Sequence, residues 1–506
     1  MPKYIFLLTL AVLLLFAVSC TGTPDGTGAD ADTAETDTEP SADTETDEVL
    51  TTVPTDTETF GTDPETAPNI EPDTSAADPE TTPDSPAVTT PPVTTPVTKP
   101  VTAPVTKPVT EPVTTPVTEP VTKPVTTPVT EPKPEPERPK IVFNDLNALQ
   151  KLTTPFWQMN TMYRESTCMI VRSNGTITAK LAFKPTRIIA VEDNALTKTY
   201  QEGKDYTWDG KSNTLVWLNG SSIPYFTQYD IEGKRADGTQ IPEFGTTDPV
   251  WDELGRSRFG NALYCVSSFL YEKQIAVTYE YEYGTWNGTV TPYQGDKIPN
   301  TMAKLKAGET VNVVFYGDSI FTGCDSSSMY NRAPMQESFP SFTKQVLEAT
   351  YGARVELYNP SVGGKSSDWG LENVQSLICD RVRPDLVIIG FGMNDGDKPG
   401  SSTALNIRRI IEKIRGTYPD CEFIIVAPMV PNVESGFLTT QGDLPQAYSN
   451  LAANMKGVAY VDMYNCHSRL LKKKDFISMS GNNINHPNDW LIRVYAMQIL
   501  SALIEY

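Results

Sequence analysis

The chain has 506 residues, a formal net charge of −22 and 39% apolar residues. That length exceeds what one hydrophobic core organises, so two or more domains are expected. The charge is concentrated: residues 21–139 hold 24 Asp and Glu against 5 Lys and Arg, leaving −3 for everything else. The remainder therefore has no basic stripe for nucleic acid, and the acidity says nothing about a substrate.

Lys3 precedes an apolar run over residues 5–18, too short for a comfortable membrane span and suited to a signal-peptide core. Ala17-Val18-Ser19-Cys20 follows and resembles a bacterial lipobox, with Ala17 where that motif usually has Leu. The resemblance implies residues 1–20 as a lipoprotein-type signal, with Cys20 as the lipid attachment site. The chain would then be exported and anchored to the membrane at the cell surface, or secreted if not lipidated.

Residues 21–139 read as a disordered linker. Phe60 is their one aromatic residue, and Thr, Asp, Glu and Pro dominate, so no core can form. From Pro92 to Pro132 a four-residue Pro-Val-Thr-x repeat favours extended polyproline II, with a reach of roughly 120–130 Å at about 3.1 Å per residue. Such a spacer would hold a domain well away from a membrane.

Residues 140–305 change to short alternating strands. Met169–Val171 and residues 176–183 flank Asn174-Gly175 as a hairpin, and residues 214–218 and 274–283 alternate similarly. No amphipathic helix stands out, so an all-β sandwich or jelly-roll-like domain is expected. Trp157, Trp208, Trp217, Trp251 and Trp286 lie here. Each reads as core or as a platform for a sugar ring, and Trp208 and Trp251, beside acidic turn residues, read as the exposed pair. If Cys20 carries lipid, six cysteines remain; no CxxC pair or histidine cluster indicates a metal, and no cofactor is expected.

From residue 306 onward strands and helices alternate. Strands are expected at 311–316, 354–358, 385–390, 422–427 and 458–462. A helix follows over 401–417, with Ser401, Ser402 and Thr403 offering a cap, and another closes the chain after Asn488-Asp489. Repeated βα units predict an α/β fold, a parallel sheet with helices on both faces.

The first of these strands ends abruptly in Gly317-Asp318-Ser319, which delivers a hydroxyl to the carboxyl edge of the sheet, where open α/β sheets keep their sites. Gly-Asp-Ser alone is also ordinary turn chemistry. Further along come Asn359-Pro360-Ser361-Val362-Gly363-Gly364, then Gly392-Met393-Asn394-Asp395, and near the end His486 within Asn483-Ile484-Asn485-His486. Of the two histidines, His467 lies on the helix after the last strand and reads as structural; His486 lies in a polar loop, where a base can reach a strand-edge serine.

These four blocks, in this order over residues 311–506, resemble the SGNH (GDSL-type) hydrolase superfamily. The resemblance implies acyl transfer, with Ser319 as nucleophile and His486 as base. The Ser319 and Gly364 backbone N–H groups and the Asn394 amide would form the oxyanion hole. The family usually has Asp three residues before the histidine, where this chain has Asn483. A neutral amide can orient an imidazole but cannot stabilise its charge, so Asn483 is a doubtful third member beside Asp489, Asp475 or a backbone carbonyl. A β-rich domain ahead of such a hydrolase on an exported chain suggests a carbohydrate esterase that removes acetyl groups from O-acetylated polysaccharide, xylan among them. A short-chain lipase or thioesterase is the second reading. A surface carbohydrate-binding protein with a decayed esterase part is the third.

Overall fold

A computed structural model describes residues 139, 141–244 and 254–506. The signal segment, Cys20, the linker and Trp251 lie outside the described residues.

The described residues up to 305 hold nine strands: β1 (Thr161–Val171), β2 (Ile177–Lys180), β3 (Pro185–Asp193), β4 (Tyr206–Trp208), β5 (Thr214–Trp217), β6 (Tyr225–Phe226), β7 (Leu254–Arg256), β8 (Leu263–Cys265) and β9 (Gln274–Tyr281). Seven form one hydrogen-bonded path, β3-β9-β1-β2-β5-β4 with β6 on β1; β7 and β8 pair separately. The path is continuous because β1 changes partner along its length. Residues 161–168 pair with β9, and 169–171 with β2 and β6. A bulge between Met162 and Glu165, with Arg164 at φ 47°, bends β1 and marks an irregularity of the ladder.

The hairpin at Asn174-Gly175 forms as expected, Gly175 taking φ 80°. Short helices at Ala148–Thr153 and Phe269–Lys273 stand where none was expected. At two turns or fewer they are too brief to show a periodic apolar stripe. Trp208 is half-buried against the core, its indole N–H donating to the Ser212 carbonyl at 2.8 Å, and is not the exposed platform expected.

The α/β region is a five-stranded parallel sheet of β10 (Val311–Gly317), β11 (Val355–Tyr358), β12 (Leu386–Gly390), β13 (Glu422–Ala427) and β14 (Val458–Asp462), in the order β11-β10-β12-β13-β14. The period of two divides each strand between two cores. Val313, Phe315, Ile388 and Ile424 join the layer with the helices Phe339–Tyr351 and Asp489–Leu503. Val314, Tyr316, Ile389 and Ile425 face the helices Gly400–Thr417 and Leu444–Ala453. The helix Gly400–Thr417 starts after Pro399 with no side-chain cap; Ser401 to Thr403 sit inside its first turn.

The first core layer continues into the β-rich region through Phe156, Met162 and Tyr279. Every residue of the helix Asp489–Leu503 is buried. The helix Pro299–Lys306 crosses the expected boundary at 305. Six described cysteines form no disulfide.

Candidate active site

The sheet order places β10 between β11 and β12, so the loops after all three strands stand side by side at the carboxyl edge. This is the position where successive connections leave in opposite directions, which is where open α/β sheets form their binding crevices. Ser319 begins a short helix, Ser319–Thr322, whose first turn is capped by Asp318 accepting from the Ile320 N–H at 3.0 Å. Gly317 must be glycine, because a Cβ there would meet the Gly390 carbonyl at 2.6 Å and Phe321 at 2.7 Å. The β11 loop is tied to this turn: Gly317 N–H donates to Ser361 Oγ at 2.9 Å, and Val362 N–H to the Gly317 carbonyl at 3.2 Å. Gly364 lies in that loop at φ 71°, exposed. Asn394 lies in the β12 loop, its amide donating to the Lys365 carbonyl at 3.2 Å.

His486 arrives from the other end of the chain. Its Nε2 is 2.8 Å from Ser319 Oγ, and its Nδ1 is 2.9 Å from Asp325 Oδ2. Ser319 is 6% exposed and the His486 side chain 16%. The second Asp325 oxygen accepts from the Tyr330 hydroxyl at 2.5 Å. Burial and the neighbouring Asp325 carboxylate push the Tyr330 phenol up, which keeps it a donor. A Cβ on Gly481 would stand 2.3 Å from Asp325 Cβ, so the histidine loop needs glycine there to admit the acid.

The group facing His486 Nδ1 is thus Asp325, six residues after the serine, and not the residues weighed from the sequence. Asn483 takes φ 61° and turns away: its amide donates to the Leu263 carbonyl at 3.1 Å, and its own carbonyl accepts from Asn432 at 2.8 Å. Asp475 is held by Arg172 at 2.7 and 3.1 Å. Asp489 accepts from the Ser327 N–H at 2.8 Å, and burial raises its carboxyl to about 6; Asn488 caps the last helix by accepting from Leu491 N–H at 3.1 Å. Asp325 escaped notice because Cys324-Asp325-Ser326 reads like any turn. Its one distinguishing trait, a left-handed backbone at φ 65° that Asp tolerates, is not visible in a string of letters. His467 is fully buried on the helix Met463–Leu471, where burial lowers its imidazole to about 3.

The histidine loop is knotted by its asparagines. Asn482 Oδ1 accepts the N–H groups of Ile484, Asn485 and His486 at 2.9–3.1 Å. The β-rich region then grips the loop from outside. Gln274 on β9 donates to the Ile477 and Ser480 carbonyls at 3.2 and 2.9 Å and accepts from Asn488 at 3.0 Å. Ser166 on β1 donates to the Ser478 carbonyl at 2.6 Å. Deeper still, Lys474 pairs with Glu165, both wholly buried, and donates to the Ser166 carbonyl at 2.6 Å. Tyr279 and the Ala182 N–H complete the Glu165 carboxylate at 2.5 and 2.8 Å.

Residues 315–490 match the GDSL-like Lipase/Acylhydrolase family. The match lies within the α/β region and spans most of it. Comparison with curated proteins gives no match. Among solved structures, the chain is similar to a two-domain esterase (CEX) active on acetylated mannans, at 18% identity and a TM-score of 0.35, over 42% of this chain and 55% of that one. It is also similar to Axe2, an acetylxylan esterase from Geobacillus stearothermophilus, at 15% identity and a TM-score of 0.34, over 40% of this chain and 97% of that one. A third is the acetyl xylan esterase AlAXEase, at 17% identity and a TM-score of 0.31, over 38% of this chain and all of that one. The chain spans about half the length of the two-domain esterase.

Proposed function

We propose that the GDSL-like domain is a serine esterase that removes acetyl or other short acyl groups from O-acetylated polysaccharide, working through Ser319, His486 and Asp325. The observation that carries this reading is the continuous relay from Ser319 Oγ through the imidazole to the Asp325 carboxylate, at 2.8 and 2.9 Å. Ser319 Oγ attacks the ester carbonyl while His486 Nε2 takes its proton. Asp325 accepts from Nδ1–H, fixes the tautomer and stabilises the imidazolium; Tyr330 in turn fixes Asp325. The Ser319 and Gly364 N–H groups and the second N–H of the Asn394 amide receive the developing oxyanion, each such donor worth about 2.7–4 kcal/mol of barrier. Collapse of the tetrahedral species breaks the C–O bond, and the imidazolium protonates the departing sugar oxygen, which leaves as a hydroxyl. Water, deprotonated by the same imidazole, then attacks the acyl-serine and releases acetate.

The reading of a decayed esterase rested on Asn483. With a carboxylate on the imidazole from another position, that ground is gone. Within the same chemistry a short-chain lipase or thioesterase remains the second reading, separated by chain-length preference. The test is acetate release from acetylated xylan and mannan by the intact chain. Turnover that disappears in Ser319→Ala, with faster cleavage of nitrophenyl acetate than of longer esters, supports the proposal; no release from any acetylated glycan overturns the substrate class. The Cys20 lipid anchor is part of the proposal, and Cys20→Ala should move the chain from the membrane to the soluble fraction; an unmoved chain removes the anchor.

A further inference from the structure

A cavity of about 270 Å³ lies between the bulge of β1, the end of β3 and the helices Phe339–Tyr351 and Asp489–Leu503. None of Ser319, His486 or Asp325 lines it. Its walls bring together Arg164, Asn194, Asp489, Trp490 and Arg493. Each has a buried polar atom with no hydrogen-bond partner: Arg164 Nε, Asn194 Nδ2, Asp489 Oδ2, Trp490 Nε1 and Arg493 Nε. Asn194, Asp489 and Arg493 are 8%, 7% and 3% exposed. Buried polar groups are normally paired, and five unpaired ones around one space are a concentration that packing alone does not explain.

The remaining bonds of these side chains hold them in place. Arg493 Nη1 donates to the Tyr163 carbonyl at 2.9 Å, and its Nη2 to the Arg164 carbonyl. Asp489 Oδ1 is taken by Ser327. The nearest carboxylate to Arg164, on Glu192, is 3.9 Å from Nε, beyond a hydrogen bond; Glu337 also lines the space.

We propose that this cavity binds one small hydroxy-carboxylate of about monosaccharide size. Four of the five unpaired atoms are donors, two of them guanidinium N–H groups that suit a carboxylate. The fifth, Asp489 Oδ2, accepts a ligand hydroxyl. A bare anion leaves Asp489 unmatched and faces Glu337; a neutral sugar offers no charged acceptor to the two Nε–H groups, whose nearby carboxylates, Glu192 for Arg164 and Asp489 for Arg493, make no hydrogen bond to them. The volume admits a small molecule and not a polymer. The assignment does not rest on the esterase reading.

The probe is D-glucuronate, titrated calorimetrically into the intact chain, with D-glucose and acetate as partial mimics. Single-site binding at least tenfold tighter than either mimic is expected, unchanged in Ser319→Ala. Arg164→Met and Asn194→Leu, on separate walls, should each weaken it at least fivefold. They should also abolish the ligand-induced rise in Tm while leaving the ligand-free Tm within a few degrees. No saturable binding, equal binding of glucose, or binding that survives both substitutions overturns the proposal.

Discussion

The serine turn and the histidine loop meet at 2.8 Å, yet they are built by opposite means. Ser319 is held by its own sheet: a strand flanked by two parallel neighbours, glycines that admit Phe321, and a β11 loop tied to Gly317. His486 has no strand beneath it. Its loop is shaped by Asn482 and then gripped by Gln274 and Ser166, which belong to the β-rich region. The serine hydroxyl is placed by topology, whereas the imidazole depends on a second region being folded and docked. The β-rich region thus has a structural task at the catalytic edge whether or not it touches sugar.

That contrast can be broken at several points. The largest effect is expected at Asp325, the one acid that shares the serine's loop and the histidine's ring. Asp325→Asn should lower kcat/KM for a short nitrophenyl ester by on the order of 10³–10⁴ and reshape its pH profile, with folding retained. A loss under tenfold would mean the imidazole is oriented by something else. Next comes Gln274→Met, which takes the side-chain donor from the Ser480 carbonyl, leaves the Ile477 carbonyl only the Cys168 thiol, and removes one of the three acceptors of the Asn488 amide. A stability loss of about 1–3 kcal/mol for each unsatisfied group, read by urea unfolding, should accompany a fall in kcat larger than any change in KM. An unchanged kcat would show that the β-rich region merely adjoins the loop. The smallest effect on catalysis belongs to Asn483→Asp, the substitution that the family spacing suggests as a repair. It replaces a donor to the Leu263 carbonyl by a buried carboxylate and should cost about 1–3 kcal/mol while leaving the pH–rate profile in place. A gain in rate would restore Asn483 to the relay.

Reading the chain recovered the serine side better than the histidine side for the same reason. The runs at 311–316 and 385–390 are short, β-branched and bounded by glycine, so their strands and the loops beyond them are local facts. Ser319 and His486 stood out as a strand-edge hydroxyl and as one of only two imidazoles. What could not be read was long-range pairing. Asp325 meets His486 across 161 residues, and nothing in its neighbourhood marks the encounter. Glu165 lies outside the strands expected from the sequence, yet in β1 it is wholly buried against Lys474. The Asp-x-x-His spacing led to Asn483 because a local pattern was applied to a contact made by the fold.

The pairing of Glu165 with Lys474 also governs the order of events as the chain is made. The carboxylate leaves the ribosome 309 residues before its counter-ion, so the first sheet must wait, with a charge it cannot hide, until Lys474 has been made. A start site placed at residue 306 to isolate the GDSL-like part would strand the lysine instead, together with Arg493 and the carbonyls that Gln274 receives. The two halves are better treated as one cooperative unit, in which the stretch from Lys474 to Arg493 closes the door on both.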